Sequence, residues 1–199
     1  YEFIKVEEFL KGNLARISLK DVELNVNYLL IISTSAGLWS YNIGDTIKFT
    51  SLEPFRIIVT GRIKHFLSAF GEHVISEEVE KAMEAATKLH NVAIREFTVA
   101  PNINPKEMLP HHEWYVEFES LPKDMLAFSK ALDKEMTRLN IYYKDLIDGK
   151  ILKSLEVISV IRGGFNQYMK SEGRLGGQNK VPRLSNDRKI ADKLKTIST

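Results

Sequence analysis

The chain of 199 residues has no cysteine, and its longest apolar run, Tyr28 to Ile32, is very short. The first absence removes disulfides, thiolate catalysis and cysteine-bound metal, and fits a reducing compartment such as the cytoplasm. The second falls far short of the roughly 20 residues that cross a bilayer, and no basic-then-apolar signal segment opens the chain, so no membrane partner is expected. A dominant charge is also missing. Twenty-eight basic residues stand against 26 acidic ones, for a net charge of +2, which gives no case for a nucleic-acid partner. Only the stretch from Arg174 onward is clearly basic, and it reads as a surface tail. No Gly-x-Ser-x-Gly elbow occurs, which disfavours a serine hydrolase.

What is there fits a folded chain, with 44% hydrophobic and 27% charged residues. The opening Tyr1-Glu2-Phe3-Ile4 runs straight into apolar-alternating sequence, so the chain is expected to begin mid-protein. From Leu14 to Thr60, β-branched and aromatic residues broken by turn signals predict antiparallel strands at Leu14 to Leu19, Asn27 to Ser33, Leu38 to Tyr41, Thr46 to Thr50 and Phe55 to Thr60. Ala36-Gly37 and Glu53-Pro54 supply the turns, and Trp39, Tyr41, Phe49 and Phe55 are expected in the sheet core.

After a boundary near Arg62 to Lys64 the pattern changes to mixed strands and helices. Ser76 is the predicted N-cap of a helix reaching about Lys88, with Val79, Met83 and Ala86 buried. Val92 to Val99 and Glu113 to Phe118 read as paired strands. Pro122 is expected in the first turn of a helix carrying Met125, Phe128, Leu132, Met136 and Leu139 on one face. Leu155 to Ile161 reads as a strand, and Gly163-Gly164 opens a short helix with Phe165 and Tyr168. The order predicts an α+β chain: an antiparallel β remnant of a large domain over residues 1–61, then a small ferredoxin-like α+β lobe over 62–199 with helices on one face of its sheet.

Three segments could carry chemistry. Tyr41-Asn42-Ile43-Gly44-Asp45 sets a carboxylate beyond a glycine turn, between one strand and the next, where it could accept from two vicinal hydroxyls, or be an ordinary hairpin Asp. In Thr60-Gly61-Arg62-Ile63-Lys64, Arg62 could fork to phosphate or ribose oxygens and Lys64 could sit at a hinge. In Gln178-Asn179-Lys180-Val181-Pro182-Arg183, after the Gly-rich 173–177 stretch, Lys180 could neutralise charge that develops in a cleft, or lie on a basic surface tail. His111, His112 and Glu113 suggest zinc, but no third partner at suitable spacing is visible, so no metal ligand is assigned.

Together these segments resemble the Gretchen Hagen family of acyl-acid amido synthetases, within the adenylate-forming enzymes. Tyr41, Gly44 and Asp45 match its Tyr-x-x-Gly-Asp segment, and Gln178, Lys180, Pro182 and Arg183 its Gln-x-Lys-x-Pro-Arg segment. Leu139-Asn140 with Tyr142 or Tyr143 and the strand Glu113 to Phe118 are similar to further family runs.

The resemblance implies a ligase that uses ATP and Mg2+ to convert a carboxylic acid to an acyl-adenylate and then joins it to an amino acid or other amine. Tyr41, Asp45 and Arg62 would bind ATP and Lys180 would be catalytic, on a lobe that rotates between the half-reactions. The family's Ser/Thr-rich phosphate loop and most of its acyl pocket precede the matched region, so the resemblance implies a missing amino-terminal adenylation domain and an inactive fragment. Gly71-Glu72-His73 stands where plant members carry a lysine, and the sequence looks closer to bacterial relatives. Two other readings are a ferredoxin-like ligand-binding or regulatory module without catalysis, and an RNA-binding α+β domain, against which the even charge argues.

Overall fold

The computed structural model describes residues 1–63, 66–173 and 180–198, with the side chain of Phe66 excepted. The chain divides into two compact units, Tyr1–Lys64 and His65–Thr199. Among the described residues, no helix is long and apolar enough to cross a membrane.

The first unit is a four-stranded antiparallel sheet in the order β1 (Glu2–Lys5), β2 (Asn27–Ile32), β3 (Tyr41–Leu52), β4 (Phe55–Arg62), with one short helix, α1 (Val6–Leu10). Alternation along the strands gives two small cores. Phe3, Tyr28, Ile47 and Phe49 pack on one side with Val22, and Ile4, Leu29, Ile31 and Ile63 on the other with Val6. Phe3, Tyr28 and Phe49 meet edge to face, with ring centroids 5.3 to 6.1 Å apart, an arrangement favoured by the ring quadrupoles.

Several expectations need correction here. Leu14 to Leu19 is not a strand: Ile17 alone bridges to Phe3, and a 3-10 turn begins at Leu19. Leu38 to Tyr41 is not a strand either, because the backbone turns through 34–37 and β3 begins at Tyr41. Of the four aromatics expected in the core, Phe49 is buried while Trp39, Tyr41 and Phe55 are exposed. The physical reason is position: Trp39 lies in a loop, Tyr41 starts a strand, and Phe55 belongs to β4, an edge strand with a partner on one side.

In the second unit, a short hairpin, β5 (Phe66–Leu67) and β6 (Val74–Ile75), leads into α2 (Ser76–His90). A three-stranded sheet follows, with β7 (Ile94–Asn102) antiparallel to the central β8 (His111–Phe118), and β9 (Glu156–Val160) parallel to β8. The crossover from β8 to β9 carries α3 (Met125–Leu139) and α4 (Ile141–Asp148). Helices α5 (Gly164–Ser171) and α6 (Lys189–Ile197) complete the unit. The α+β order strand, helix, strand, strand, helix, strand is the one expected, but the first strand is reduced to the β5–β6 hairpin outside the three-stranded sheet, β9 lies beside β8 and parallel to it, and helices cover both faces rather than the single face expected.

Every residue of β8 is buried, as a central strand covered on both faces requires. Trp114 and Val116 face the core formed with Val79, Met83, Phe128, Leu132 and Met136 of α2 and α3. Tyr115 faces the core formed with Phe165, Tyr168, Ala191 and Leu194 of α5 and α6. Burying each such large apolar side chain contributes about 1.5–3 kcal/mol.

Helix starts differ in detail from the sequence reading. Ile75, not Ser76, is the residue before α2, and Glu78 Oε2 accepts from its N–H at 3.0 Å. Pro122 lies outside α3, which starts behind Asp124, whose side chain accepts from the Ala127 N–H at 2.9 Å. The basic C-terminal segment is no loose tail: α6 buries Ala191 and Leu194.

Candidate functional site

The Tyr-x-x-Gly-Asp segment does not sit between two strands, as expected, but within the first part of β3. There β3 gains residues on its neighbour: Leu29 pairs with Thr46 and Ile31 with Asn42, so two steps on β2 face four on β3. The bulge is fixed locally. Asn42 Oδ1 accepts from the Gly44 N–H at 2.8 Å, and the Gly44 carbonyl accepts from the Ile63 N–H at 2.8 Å. Gly44 has φ +83, and an added Cβ would meet nothing within 4 Å; the demand for glycine is therefore conformational, not steric.

Asp45 follows, directly opposite Arg62 of β4. Arg62 Nε donates to Asp45 Oδ1 at 2.9 Å. Asp45 Oδ2 has no partner among the described residues. An exposed pair of this kind adds at most about 1 kcal/mol to stability. Below it, Thr60 Oγ1 donates to Thr46 Oγ1 at 3.0 Å in the buried layer. Tyr41 opens the strand opposite Ile32 and is half exposed. Thus Asp45 and Arg62 are brought together, with Tyr41 at the end of the same strand. Lys64, read as a hinge residue, lies outside the described residues.

Lys180 belongs to the second unit. Gln178, Asn179 and the stretch 174–177 lie outside the described residues. From Val181 the chain is held against β7. Thr98 Oγ1 donates to the Pro182 carbonyl at 2.7 Å, the Val99 N–H to the Arg183 carbonyl at 2.9 Å, and the Ser185 N–H to the Val99 carbonyl at 3.0 Å. Arg183 lies over the Phe97 ring at 4.5 Å and pairs with Glu80 and Glu96. Val181 and Leu184 are buried.

Lys180 stands immediately before this fastened run, exposed and without a partner among the described residues. With Arg95, Glu96, Glu117, Phe165 and Asn166 it lines an open cleft of about 280 Å³. Glu117 is not a free base there, because its Oε1 accepts from the Gly163 N–H at 2.8 Å and its Oε2 from the Phe165 N–H at 3.3 Å, at the start of α5.

The other resembling runs are structural. Asn140 caps α4 by accepting from the Tyr143 N–H at 2.7 Å and donates to Glu78 at 3.0 Å, and the Tyr143 hydroxyl donates to Asp133 at 2.7 Å. The negative charge of Asp133 and burial, burial foremost, push the Tyr143 phenol well above its ordinary value. Glu113 accepts from Arg188 at 2.7 Å, Tyr115 at 2.8 Å and Asn102 at 2.9 Å.

Sequence reasoning missed a buried pair: His112 Nε2 lies 2.9 Å from Glu72 Oε1, with the Phe70 N–H on Glu72 Oε2 at 2.8 Å. Burial would raise the Glu72 carboxyl, but His112 and the backbone donors outweigh it and hold it below its ordinary value. A Glu just after Gly71 and a His at the second position of a strand give no hint of pairing across 40 positions. His111, His112 and Glu113 do not gather as a zinc site, since alternation sends His112 to the opposite face of β8; no group of three metal-ligating side chains occurs among the described residues.

Comparison with known proteins adds lineage. A model of the GH3 family central domain matches residues 1–62, and a model of the GH3 family C-terminal domain matches residues 77–189. Indole-3-acetic acid-amido synthetase GH3.4 of Arabidopsis thaliana is 28% identical over 183 residues, 84% of this chain and 30% of that protein. Indole-3-acetic acid-amido synthetase GH3.8 of Oryza sativa subsp. indica is 26% identical over 208 residues, 92% of this chain and 33% of that protein. The chain thus spans about a third of the length of the curated relatives it matches. A solved GH3.15 acyl acid amido synthetase aligns over 100% of the chain and 37% of its own, with a TM-score of 0.73 and 22% identity, an agreement of fold. These relatives are plant proteins, which runs against the bacterial leaning of the sequence reading.

Proposed function

The chain belongs to the GH3 family, and from that premise we propose that it is the central and C-terminal share of an ATP-dependent acyl-acid amido synthetase. In the whole protein a carboxylic acid and ATP give an acyl-adenylate and pyrophosphate, and an amino acid or other amine then displaces AMP to leave an amide. ATP supplies the adenylyl group, and Mg2+ the neutralisation of its phosphates. The amino-terminal remainder of such a protein supplies the triphosphate cradle and the acyl pocket.

The residues present suit ATP. Asp45 stands on a fixed bulge with one carboxylate oxygen on Arg62 and the other open to a ribose hydroxyl. Arg62 orients Asp45 and adds positive charge, and the half-exposed Tyr41 ring offers a flat surface on the same strand. Mg2+ would rest on the phosphates rather than on a cage of these residues, given that no three-ligand group is found among those described.

Lys180 carries the proposal. It is exposed, unpaired among the described residues, and followed by a run whose hydrogen bonds to β7 fix its base. A cation held this way stabilises charge that develops in the transition state without reorganisation. In the full-length protein, Lys180→Ala is expected to slow acyl-adenylate formation about a hundredfold while changing ATP affinity little. Amide formation from supplied acyl-adenylate is expected to be spared. Equal loss in both half-reactions would assign Lys180 to folding or docking, and no loss in either would remove it from the site.

A further inference from the structure

Away from Asp45 and from the Lys180 cleft, a serine hydroxyl stands against an imidazole. Ser68 Oγ and His73 Nδ1 lie 2.8 Å apart, across the turn that joins β5 to β6. The Gly-x-Ser-x-Gly elbow that the sequence lacks is a strand-to-helix device. Here the same two side-chain types meet at a separation of five residues within one hairpin. Both are partly exposed, so a reagent from solvent can reach them.

The pair is held from several sides. The Ser68 N–H donates to Asn186 Oδ1 at 2.9 Å, across 118 positions of chain. Inside the turn, the Phe70 N–H donates to Glu72 Oε2 at 2.8 Å, and Glu72 is itself fastened to His112. Phe70 stacks on the His112 ring with centroids 6.2 Å apart, and the His73 ring meets Tyr142 edge on, with centroids 5.7 Å apart. His73 has φ +48, a left-handed backbone that is uncommon outside glycine and that clusters at functional positions. A nucleophile and a base fixed in contact by their surroundings need little reorganisation to react. The Ala69 N–H, next after the serine, has no acceptor among the described residues, and an N–H at that place in the chain is of the kind that stabilises an oxyanion.

We propose that Ser68 is an acyl-accepting nucleophile with His73 as its base, a covalent modification site for activated esters and other acyl donors with good leaving groups. The Ser68 hydroxyl donates to Nδ1 of a neutral ring whose own proton is on Nε2. As Oγ bonds to the acyl carbon, the hydroxyl proton passes to Nδ1, and the bond to the leaving group breaks with its electron pair departing on that group. His73 then gives the proton to the leaving group or to water. The product is an acyl-serine on the β5–β6 hairpin, formed without oxidant or reductant. The inference does not rest on the ligase reading, and neither Asp45 nor Lys180 takes part.

The test is treatment of the 199-residue chain with 4-nitrophenyl acetate, with 4-nitrophenolate followed by its absorbance and the acetyl group located by peptide mass spectrometry. Ser35, exposed and without a hydrogen-bond partner among the described residues, serves as the comparison within the same molecule. General-base help is expected to acetylate Ser68 about a hundredfold faster than Ser35. Ser68→Ala is expected to remove the initial burst of 4-nitrophenolate. In His73→Asn, which keeps a side-chain oxygen and suits a left-handed backbone, Ser68 is expected to fall to the rate of Ser35. The comparison of the two serines in the parent chain needs no variant to fold. The proposal is overturned if Ser68 is acetylated there no faster than Ser35, which would leave its contact with His73 a hydrogen bond that merely closes the turn. It is equally overturned if the burst survives Ser68→Ala, or if Ser68 in His73→Asn is acetylated as fast as in the parent.

Discussion

The two units differ in where they depart most from the inside-outside rule, although each also shows the other's kind of departure, as Leu89 and Leu126 are exposed in the second and Thr46 and Thr60 buried in the first. The first leaves Trp39, Tyr41, Phe55, Ile57, Ile58 and Val59 exposed, whereas the second buries Glu72, His111, His112, Glu113, Glu117 and Asn140. Coverage explains both. The sheet of the second unit has helices on each face, so every polar group along β8 must find a partner within the protein. In the first unit β4 is an edge strand, and its side chains keep water on both faces. Candidate ligand-handling groups then differ in kind: Asp45 and Lys180 stand out by what they leave unused, the buried carboxylates by how fully they are engaged.

The sharpest way to test this contrast is Glu72→Ala, which strands His112 and the Phe70 N–H in a dry interior. It is expected to destabilise the second unit by about 3 kcal/mol or more. The two tryptophans make the measurement selective, since Trp39 lies in the first unit and Trp114 in the second; urea unfolding followed by Trp114 in a Trp39→Phe background should shift strongly. A shift below about 1 kcal/mol would show that the buried pair contributes no more than a surface pair.

Asp45→Ala should act the other way, on ligand rather than fold. Loss of a charge-assisted acceptor is expected to weaken ATP binding by the full-length protein by about 1.5–3 kcal/mol, with unfolding of the first unit moved by less than about 1 kcal/mol. Unchanged ATP affinity would make Asp45 a plain strand residue.

Acid should separate the units by a smaller margin. The Glu72 and Glu113 carboxyls sit below 4.5: in both, burial opposes the shift and is outweighed, by His112 for Glu72 and by Arg188, Tyr115 and Asn102 for Glu113. His111 sits below 6.5, through burial. All three bind protons more readily unfolded than folded, so stability is full above their ordinary values and lost as pH falls, first below 6.5 through His111 and then below 4.5 through the carboxylates. The Trp114-reported urea midpoint is expected to decline in those two stages, and a flat profile down to 4.5 would contradict the lowering of His111 by burial.

The smallest effect belongs to Ile58→Lys. A charge on the exposed edge strand is expected to change unfolding of the first unit by no more than about 0.5 kcal/mol. A larger loss would mean that this row is core after all.

What was legible in sequence follows the same division. Periodicity found α2 and α3, because Val79, Met83 and Ala86, and Phe128, Leu132 and Met136, recur at helical spacing on buried stripes. It missed α6, where lysines surround the few apolar anchors, and α4, whose start depends on the Asn140 side chain rather than on pattern. Turn chemistry located the β3–β4 hairpin but not the bulge before Asp45, since register is settled by the neighbouring strand. Lys180 was singled out through family likeness and His111 as part of a zinc candidate, whereas the pairing of Glu72 with His112 was not foreseen, because the two lie 40 positions apart.

The pairing of β7 with residues 183–185 bears on how the protein is made. Thr98 and Pro182 are separated by 84 positions, so a ribosome completes β7 and β8 well before it delivers the segment that seals the outer edge of β7. During that interval the nascent sheet presents an unpaired strand, the form of surface most prone to joining another chain. Closing it brings together groups far apart in sequence, a slow kind of contact. Production of the lobe is therefore most vulnerable while the last segment is still unmade, and slower translation through 100–180 would lengthen that exposure.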